Sequence, residues 1–368
     1  RTLLLTSVGN EAIHGFVDAL RSAAPKWRLI GTDLRPDAAG LYRCDAAHTV
    51  PRTTSEPYIP ALLDLCHAYN VDLLVPLSTR DQDFFSQPHI QAALPCPVMV
   101  SSAQAVATAN DKLALFEAMA HRPDLLPEYT AVHDPAGALQ ALHDLCTEHG
   151  AALLKGPGGT GGAGMLCVGT PPQELAPAAG RRWWPLERIE RLLQRLEPED
   201  FTALSPDLAS LIQGPWPRMA VAYLPGQEYS VDMLSHQGRC LGGVVRLRHA
   251  AVGGLATVAQ TVQEPDVYQA ASDVLEATGL SYTNNIQFRR DAQGQPRLLE
   301  INPRFPGTIG LTVASGLNLP LASFCMAMGA PPEPLPEPQI GVRVMRYHGS
   351  VFTQETAAAL KPQDDPLP

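Results

Sequence analysis

Long apolar runs, closely spaced cysteines and clustered positive charge are all missing from this chain, and each absence narrows what it can be. No stretch of the 368 residues approaches the roughly 18 uninterrupted apolar residues that a membrane span requires. The opening Leu3-Leu4-Leu5 is soon followed by Asn10 and Glu11, so it reads as a first strand and not as a secretory signal. The seven cysteines (44, 66, 96, 146, 167, 240 and 325) are never closer than 21 positions, which excludes a CxxC metal or redox pair. Their odd number fits the reduced thiols of a cytoplasmic protein. Lys and Arg number 27 against 37 Asp and Glu, a net charge of -10, which argues against a nucleic-acid partner, because phosphate backbones select clustered cations. No internal repeat is visible.

What is present suits a packed globular protein: 45% hydrophobic and 17% charged residues, on a chain long enough for two or three units. The 35 prolines gather in clusters such as Pro331-Pro332-Glu333-Pro334-Leu335-Pro336, which mark turns and extended linkers. Residues 1 to about 105 alternate short apolar runs with amphipathic stretches. Strands are expected at Leu3–Val8, Trp27–Thr32 and Val71–Pro76, with helices near 11–23 and 57–69 between them. That rhythm predicts a parallel sheet with helices on its faces. Gly9 stands alone after the first strand, without the three glycines of a dinucleotide binder; Asp33 sits where a ribose-binding acid would, which leaves an NAD site as the minor alternative to a polar cap on the strand end. Helices are expected at 111–121, capped by Asn110 or Asp111, and at 135–149, 185–197, 265–278 and 317–328. Further strands are expected at Met219–Leu224, Tyr229–Leu234, Gly242–Val245 and Gly341–Tyr347.

Two constellations carry chemistry. The first runs from the strand Ala151–Leu154 through Lys155 into a loop where five of the seven residues from Gly158 to Gly164 are glycine, then into the strand Leu166–Val168. Strand, loop, strand is a hairpin and not the strand, loop, helix of a P-loop. So many glycines let backbone amides approach an anion, and they leave the loop free to close over a ligand. An ordinary surface hairpin with a flexible tip is the competing reading, but such a turn needs one or two glycines. The second is Asn284-Asn285-Ile286-Gln287-Phe288-Arg289-Arg290, a turn at Ala292–Gln295, and Pro296–Arg304. With that turn, paired residue numbers sum to 587, which sets Gln287 opposite Glu300. Glu300 and Asn302, two apart, then share a face with Gln287 and offer three oxygen donors of the kind hard cations prefer. Arg304, next on that face, has the planar fork that grips phosphate. A polar ladder on a solvated face is the alternative. Arg246 and Arg248 also alternate onto one strand face and suggest an anion, either a terminal phosphate or a substrate carboxylate, with solvated arginines on an edge strand as the alternative. Pro306-Gly307-Thr308-Ile309-Gly310 either lends backbone amides to that carboxylate or is a plain turn.

Lys155 with its glycine loop, Gly226-Gln227-Glu228-Tyr229-Ser230-Val231-Asp232, and Glu300-Ile301-Asn302-Pro303-Arg304 together resemble the ATP-grasp superfamily, nearest its carbamoyl-phosphate-synthase-like and amino-acid-ligase branch. The resemblance runs to about residue 330. It implies a mixed α/β and α+β fold: a Rossmann-like N-terminal domain (1–108), an ATP-grasp N-terminal part with a small glycine-loop lid (109–224), and a C-terminal antiparallel-sheet part with an extension (225–368). It further implies that Lys112, Lys155 and the amides of Gly158, Gly159, Gly161, Gly162 and Gly164 hold the phosphates of ATP. Met165 packs under adenine, Ala222 and Leu224 present backbone groups to its edge, and Glu228 accepts from the ribose. Gln287, Glu300 and Asn302 hold Mg2+, with Mn2+ as a substitute. Arg304, Arg246 and Lys155 serve catalysis, and Arg246, Arg248, Gly307 and Thr308 bind substrate. The implied activity is a carboxylate–amine ligase that forms an amide through an acyl phosphate and releases ADP. Its partners are a small carboxylate and a small amine. A bicarbonate-activating carboxylase subunit and a non-catalytic ATP-binding regulator are the alternatives. Residues 171–217, with Arg181-Arg182 and Trp183-Trp184, are candidates to cap the site or to make homodimer contacts.

Overall fold

The computed structural model describes residues 1–9, 12–156, 165–170, 182–195, 215–252, 254–347 and 350. Among them the strands form three sheets. In the first, β1 (Thr2–Thr6), β2 (Arg28–Asp33), β3 (Ala46–Thr49) and β4 (Leu73–Pro76) run parallel in the order β3-β2-β1-β4. The leucine run of β1 is buried on both faces. Leu3 and Leu5 join Ile13, Phe16 and Leu20 of the helix Ala12–Ala23, while Leu4 faces Leu62 and Leu65 of the helix Tyr58–Tyr69. Continuous apolar sequence is what a sheet covered on both sides demands.

The second sheet holds β5 (Tyr129–Val132), β6 (Ala151–Lys155), β7 (Leu166–Gly169), β8 (Arg182–Trp184) and β9 (Arg218–Ala222), in the order β5-β9-β6-β7-β8. β6 and β7 pair antiparallel on either side of the glycine-rich segment, which is the expected hairpin. The glycines at 158, 159, 161, 162 and 164 lie outside the described residues. The helix Pro135–His149 starts at an Asp134 cap and stops at Gly150, whose φ of 77° suits glycine. With the helix Leu186–Arg195 it covers one face of this sheet, burying Ala152, Leu154, Leu166, Val168, Trp184, Ala220 and Ala222. Alternation therefore leaves Leu153, Lys155, Cys167, Trp183 and Val221 on the other face.

The third sheet is antiparallel: β10 (Glu228–His236), β11 (Arg239–Val252), β12 (Leu255–Val262), β13 (Tyr282–Arg290), β14 (Pro296–Asn302) and β15 (Arg343–Met345), in the order β14-β13-β10-β11-β12-β15. Its apolar face (Val231, Met233, Ile286, Phe288, Leu298, Ile301) meets the helix Pro265–Thr278 and Leu115, Phe116 of the helix Lys112–Ala118. The C-terminal helices return to the N-terminal sheet: Phe305, Ile309 and Phe324 sit in the same core as Leu3 and Phe16. There the backbone of Gly15 approaches that of Gly310 so closely that a Cβ on Gly15 would come within 2.6 Å of the Gly310 nitrogen.

Strands β3, β5, β8 and β12 lacked a clear sequence signal, and β11 is longer than the expected Gly242–Val245. Each lies at or next to a sheet edge, or is short, where apolar alternation is weak. No helix among the described residues is long and apolar enough to cross a membrane.

Candidate active site

The polar face of the third sheet, opposite its apolar core, gathers most of the singled-out residues. Gln287 pairs with Glu300 and Asn285 with Asn302, in the register whose numbers sum to 587. Nearer the turn the register slips by one, so that Phe288 pairs with Leu298. The turn spans Asp291–Gln295 and not Ala292–Gln295: the Asp291 carboxylate accepts from the N–H groups of Gln293 and Gln295 and holds it. The extra residue, Leu299, is a bulge. It lets Leu298 and Ile301 both enter the core while Glu300 and Asn302 stay on the polar face.

Glu300 Oε2 lies 3.8 Å from Lys112 Nζ, and Asn302 Nδ2 donates to Glu300 Oε1 at 3.3 Å. Lys112 opens its helix directly after Asp111, whose carboxylate caps it by accepting from Leu113 and Ala114 N–H. Arg304 lies beyond the end of β14, not on the strand as expected, yet its side chain turns back. Nη2 donates to Asn302 Oδ1 at 3.1 Å, and Nε donates to Thr79 Oγ1 at 3.2 Å. Burial pushes its guanidinium below the ordinary arginine range, opposed by the Glu300 carboxylate. Thr79 comes from the N-terminal unit, just past β4, so the ribbon end meets the carboxyl end of the parallel sheet. This is the edge where open α/β sheets bind ligands.

Arg246 and Arg248 do share a face, but both carry internal carboxylate partners, which their sequence did not reveal. Arg246 is fully buried. It donates to Asp232 Oδ1 at 2.5 Å, to Ser230 and to Thr308. Arg248 pairs with Glu228 and reaches Gln287 Oε1 at 3.4 Å. Asp232 also accepts from Asn285 Nδ2 at 2.7 Å and from Thr312. Asn285 in turn accepts from Gln287 Nε2 at 3.2 Å. A chain of hydrogen bonds thus joins Gln287 to Thr308, the N-cap position of the helix Ile309–Ala314. The Gly307 carbonyl accepts from Arg346. Asp232 and Asn285 were legible as same-face neighbours of Ser230 and Gln287. Thr79 and Thr312 had no local signal.

Lys155 ends β6, opposite Met219, and is 8% exposed. Met165 directly precedes β7. At the end of β9 the N–H of Ala222 donates to Glu128 O and that of Tyr223 to Ala151 O. Leu224, 7% exposed, forms no backbone hydrogen bond among the described residues. A cavity of about 270 Å³ lies on the helix side near Glu128, Asp144 and Glu148. Its carboxylates would repel a polyphosphate.

Comparison with known proteins bears on this geometry. Residues 216–349 match the family model described as ATP-grasp in the biosynthetic pathway with Ter operon. Residues 3–92 match the PylC-like N-terminal domain. Carnosine synthase 1 of Gallus gallus is 31% identical over 163 residues, covering 39% of this chain and 17% of that protein, so the chain matches only about a sixth of its relative. Among solved structures, a biotin carboxylase from Campylobacter jejuni in an ATP complex superposes with TM-score 0.63 at 18% identity, covering 93% of this chain and 73% of its own. An L-amino acid ligase from Bacillus licheniformis gives 0.59 at 13%, covering 89% and 74%. A parallel N-terminal sheet, a hairpin-bearing central sheet and an antiparallel C-terminal sheet carrying Glu300 and Asn302, with these matches, give the chain the ATP-grasp fold, whose C-terminal part matches the ATP-grasp family model over residues 216–349.

Proposed function

We propose that the chain is an ATP-dependent carboxylate–amine ligase. The observation that carries this reading is the convergence of Gln287, Glu300 and Asn302 on one ribbon face, with Lys112 and Arg304 at its ends. The donor set fits a hard divalent cation: one carboxylate and two amide oxygens on a face whose hydrogen bonds hold them in place. The backbone of Leu224, buried without a hydrogen-bond partner among the described residues, fits the edge of a base.

In this reading Lys112, Lys155 and the glycine amides at 158, 159, 161, 162 and 164 bind the phosphates, Met165 packs under adenine, and Ala222, Leu224 and Glu228 hold base and ribose. Mg2+, when bound at Gln287, Glu300 and Asn302, neutralises phosphate charge. The substrate carboxylate takes the terminal phosphoryl group, ADP leaves, and an amine then attacks the acyl carbon and expels phosphate. Such transfer needs alignment and charge more than covalent help. Arg304 faces the transferred group from the junction with Thr79. Arg246 acts by positioning: paired with Asp232, it fixes Thr308 and hence the segment at Gly307 that receives the carboxylate. Arg248 sets Glu228 and Gln287 relative to each other. The stretch of 31% identity falls with a carnosine synthase, which supports amide formation, whereas the likeness to a biotin carboxylase is one of fold.

ADP release is the test, measured with a pool of amino acids and, separately, with bicarbonate. Lys155→Ala and Glu300→Ala are expected to lower it by at least about a hundredfold, the scale of losing a charge-stabilising contact, with circular dichroism unchanged. Full turnover in a folded Glu300→Ala variant refutes the metal assignment, and release with bicarbonate alone refutes the amine acceptor.

A further inference from the structure

Trp183 and Trp184 stand side by side on β8, a short strand parallel to β7, with Cys167 opposite Trp183 and Val168 opposite Trp184. They do different things. Trp184 is 4% exposed in the helix-side core, where the Arg188 guanidinium stacks 3.4 Å from its ring centre. Trp183 therefore turns to the opposite face of the sheet, the one that also carries Lys155 and Cys167. There its ring meets Tyr223 at a centroid distance of 5.8 Å and an interplanar angle of 72°. Tyr223 is itself held, its phenol accepting from Arg289 Nη2 at 3.0 Å. The Trp183 Nε1 is buried and has no hydrogen-bond partner among the described residues.

An indole nitrogen can only donate. Leaving such a donor buried and unpaired costs as much as a lost hydrogen bond, so a well-packed site keeps one only when a partner arrives from elsewhere. Next to Tyr223 lies Leu224, whose backbone groups likewise have no hydrogen-bond partner among the described residues. A side-chain donor and a peptide, both beside Tyr223 and both without a partner among the described residues, suit a flat ligand with acceptors along its edge. A purine offers such acceptors at its ring nitrogens. Water-sized ligands would not need the Trp183–Tyr223 corner.

We propose that Trp183 forms the back wall of the base pocket and donates its Nε1–H to a ring nitrogen of the purine. This rests on the nucleotide reading of the site. The wall comes from a segment between the glycine hairpin and β9, so base recognition is written partly into β8 and not only into the strand end at Ala222–Leu224.

The experiment uses the full chain with Trp183→Phe, which keeps the aromatic wall and removes the donor, and Trp184→Phe as the core comparison. Binding of ATP and of inorganic tripolyphosphate, each with Mg2+, is measured by calorimetry. Trp183→Phe is expected to weaken ATP about fivefold, the worth of one hydrogen bond, and to leave tripolyphosphate unchanged. Trp184→Phe is expected to lower the melting temperature while keeping the ratio of ATP to tripolyphosphate affinity. Equal weakening of both ligands by Trp183→Phe, or none of either, overturns the assignment. A wild-type chain that binds no ATP overturns the nucleotide reading itself, which is a separate result.

Discussion

Replacing Asp232 by alanine tests the buried network behind the site. The carboxylate is wholly enclosed and accepts from Arg246, Asn285 and Thr312. Its removal leaves the Arg246 guanidinium buried with no counter-charge on that side, and Arg246 Nε already has no partner among the described residues. Breaking one half of a buried ion pair costs about 3–5 kcal/mol. Against a total stability of about 5–15 kcal/mol, the variant folds but loses a large fraction of its margin. The assay is urea unfolding followed by circular dichroism, with the single variants Asp232→Ala and Arg246→Met and the double variant Asp232→Ala/Arg246→Met. Removing both charges leaves no stranded ion, so the double variant is expected within about 2 kcal/mol of wild type, well short of the summed singles. A loss below about 1 kcal/mol for Asp232→Ala, or a double variant as costly as the two singles together, refutes the reasoning, because the pair would then not be desolvated as a unit.

Two further outcomes are expected. Gly15→Ala gains about 1 kcal/mol of helix propensity but drives a methyl into Gly310, an overpacking cost of about 1–3 kcal/mol. Thermal melting should therefore show a net loss, while Gly137→Ala, whose Cβ would meet only Asp134 Oδ1 at 3.4 Å, should show none. Burial pushes the His48 imidazole below its ordinary value, with Nε2 2.9 Å from the Tyr69 hydroxyl. The unfolded chain then takes up more protons as pH falls below about 6.5. His48 contributes stability above that pH and loses it below, so His48→Gln should flatten the stability curve between pH 7 and 5. A wild-type curve already flat in that window speaks against the burial argument.

How much was legible can be judged from particular residues. The Glu300-Ile301-Asn302 alternation and the Gln287 partner follow from the two-residue period of strands, and the structure keeps that register despite a bulge. The bulge at Leu299 was hidden, because one extra residue near a turn alters no pattern beyond it. Arg246 and Arg248 were legible as neighbours but not as ion-paired. The sequence shows their alternation, whereas the pairing with Asp232 and Glu228 depends on which strands lie adjacent. Trp183 and Trp184 looked equivalent, and only the helix packing on one face of β8 separated them.

The local periods could be read from the chain alone: apolar runs for the parallel strands, a helix cap at Asn110 or Asp111, which is Asp111, the hairpin that holds the glycines, and the oxygen donors on one face of the ribbon. That Thr79 meets Arg304 across 225 positions, and that Phe305 and Ile309 close the core begun by Leu3, follows from the packing of whole elements. Local periods arise from the geometry of the backbone, which every short stretch carries. Contacts between distant stretches arise from how whole apolar faces are shared out among layers, and no single stretch records that division.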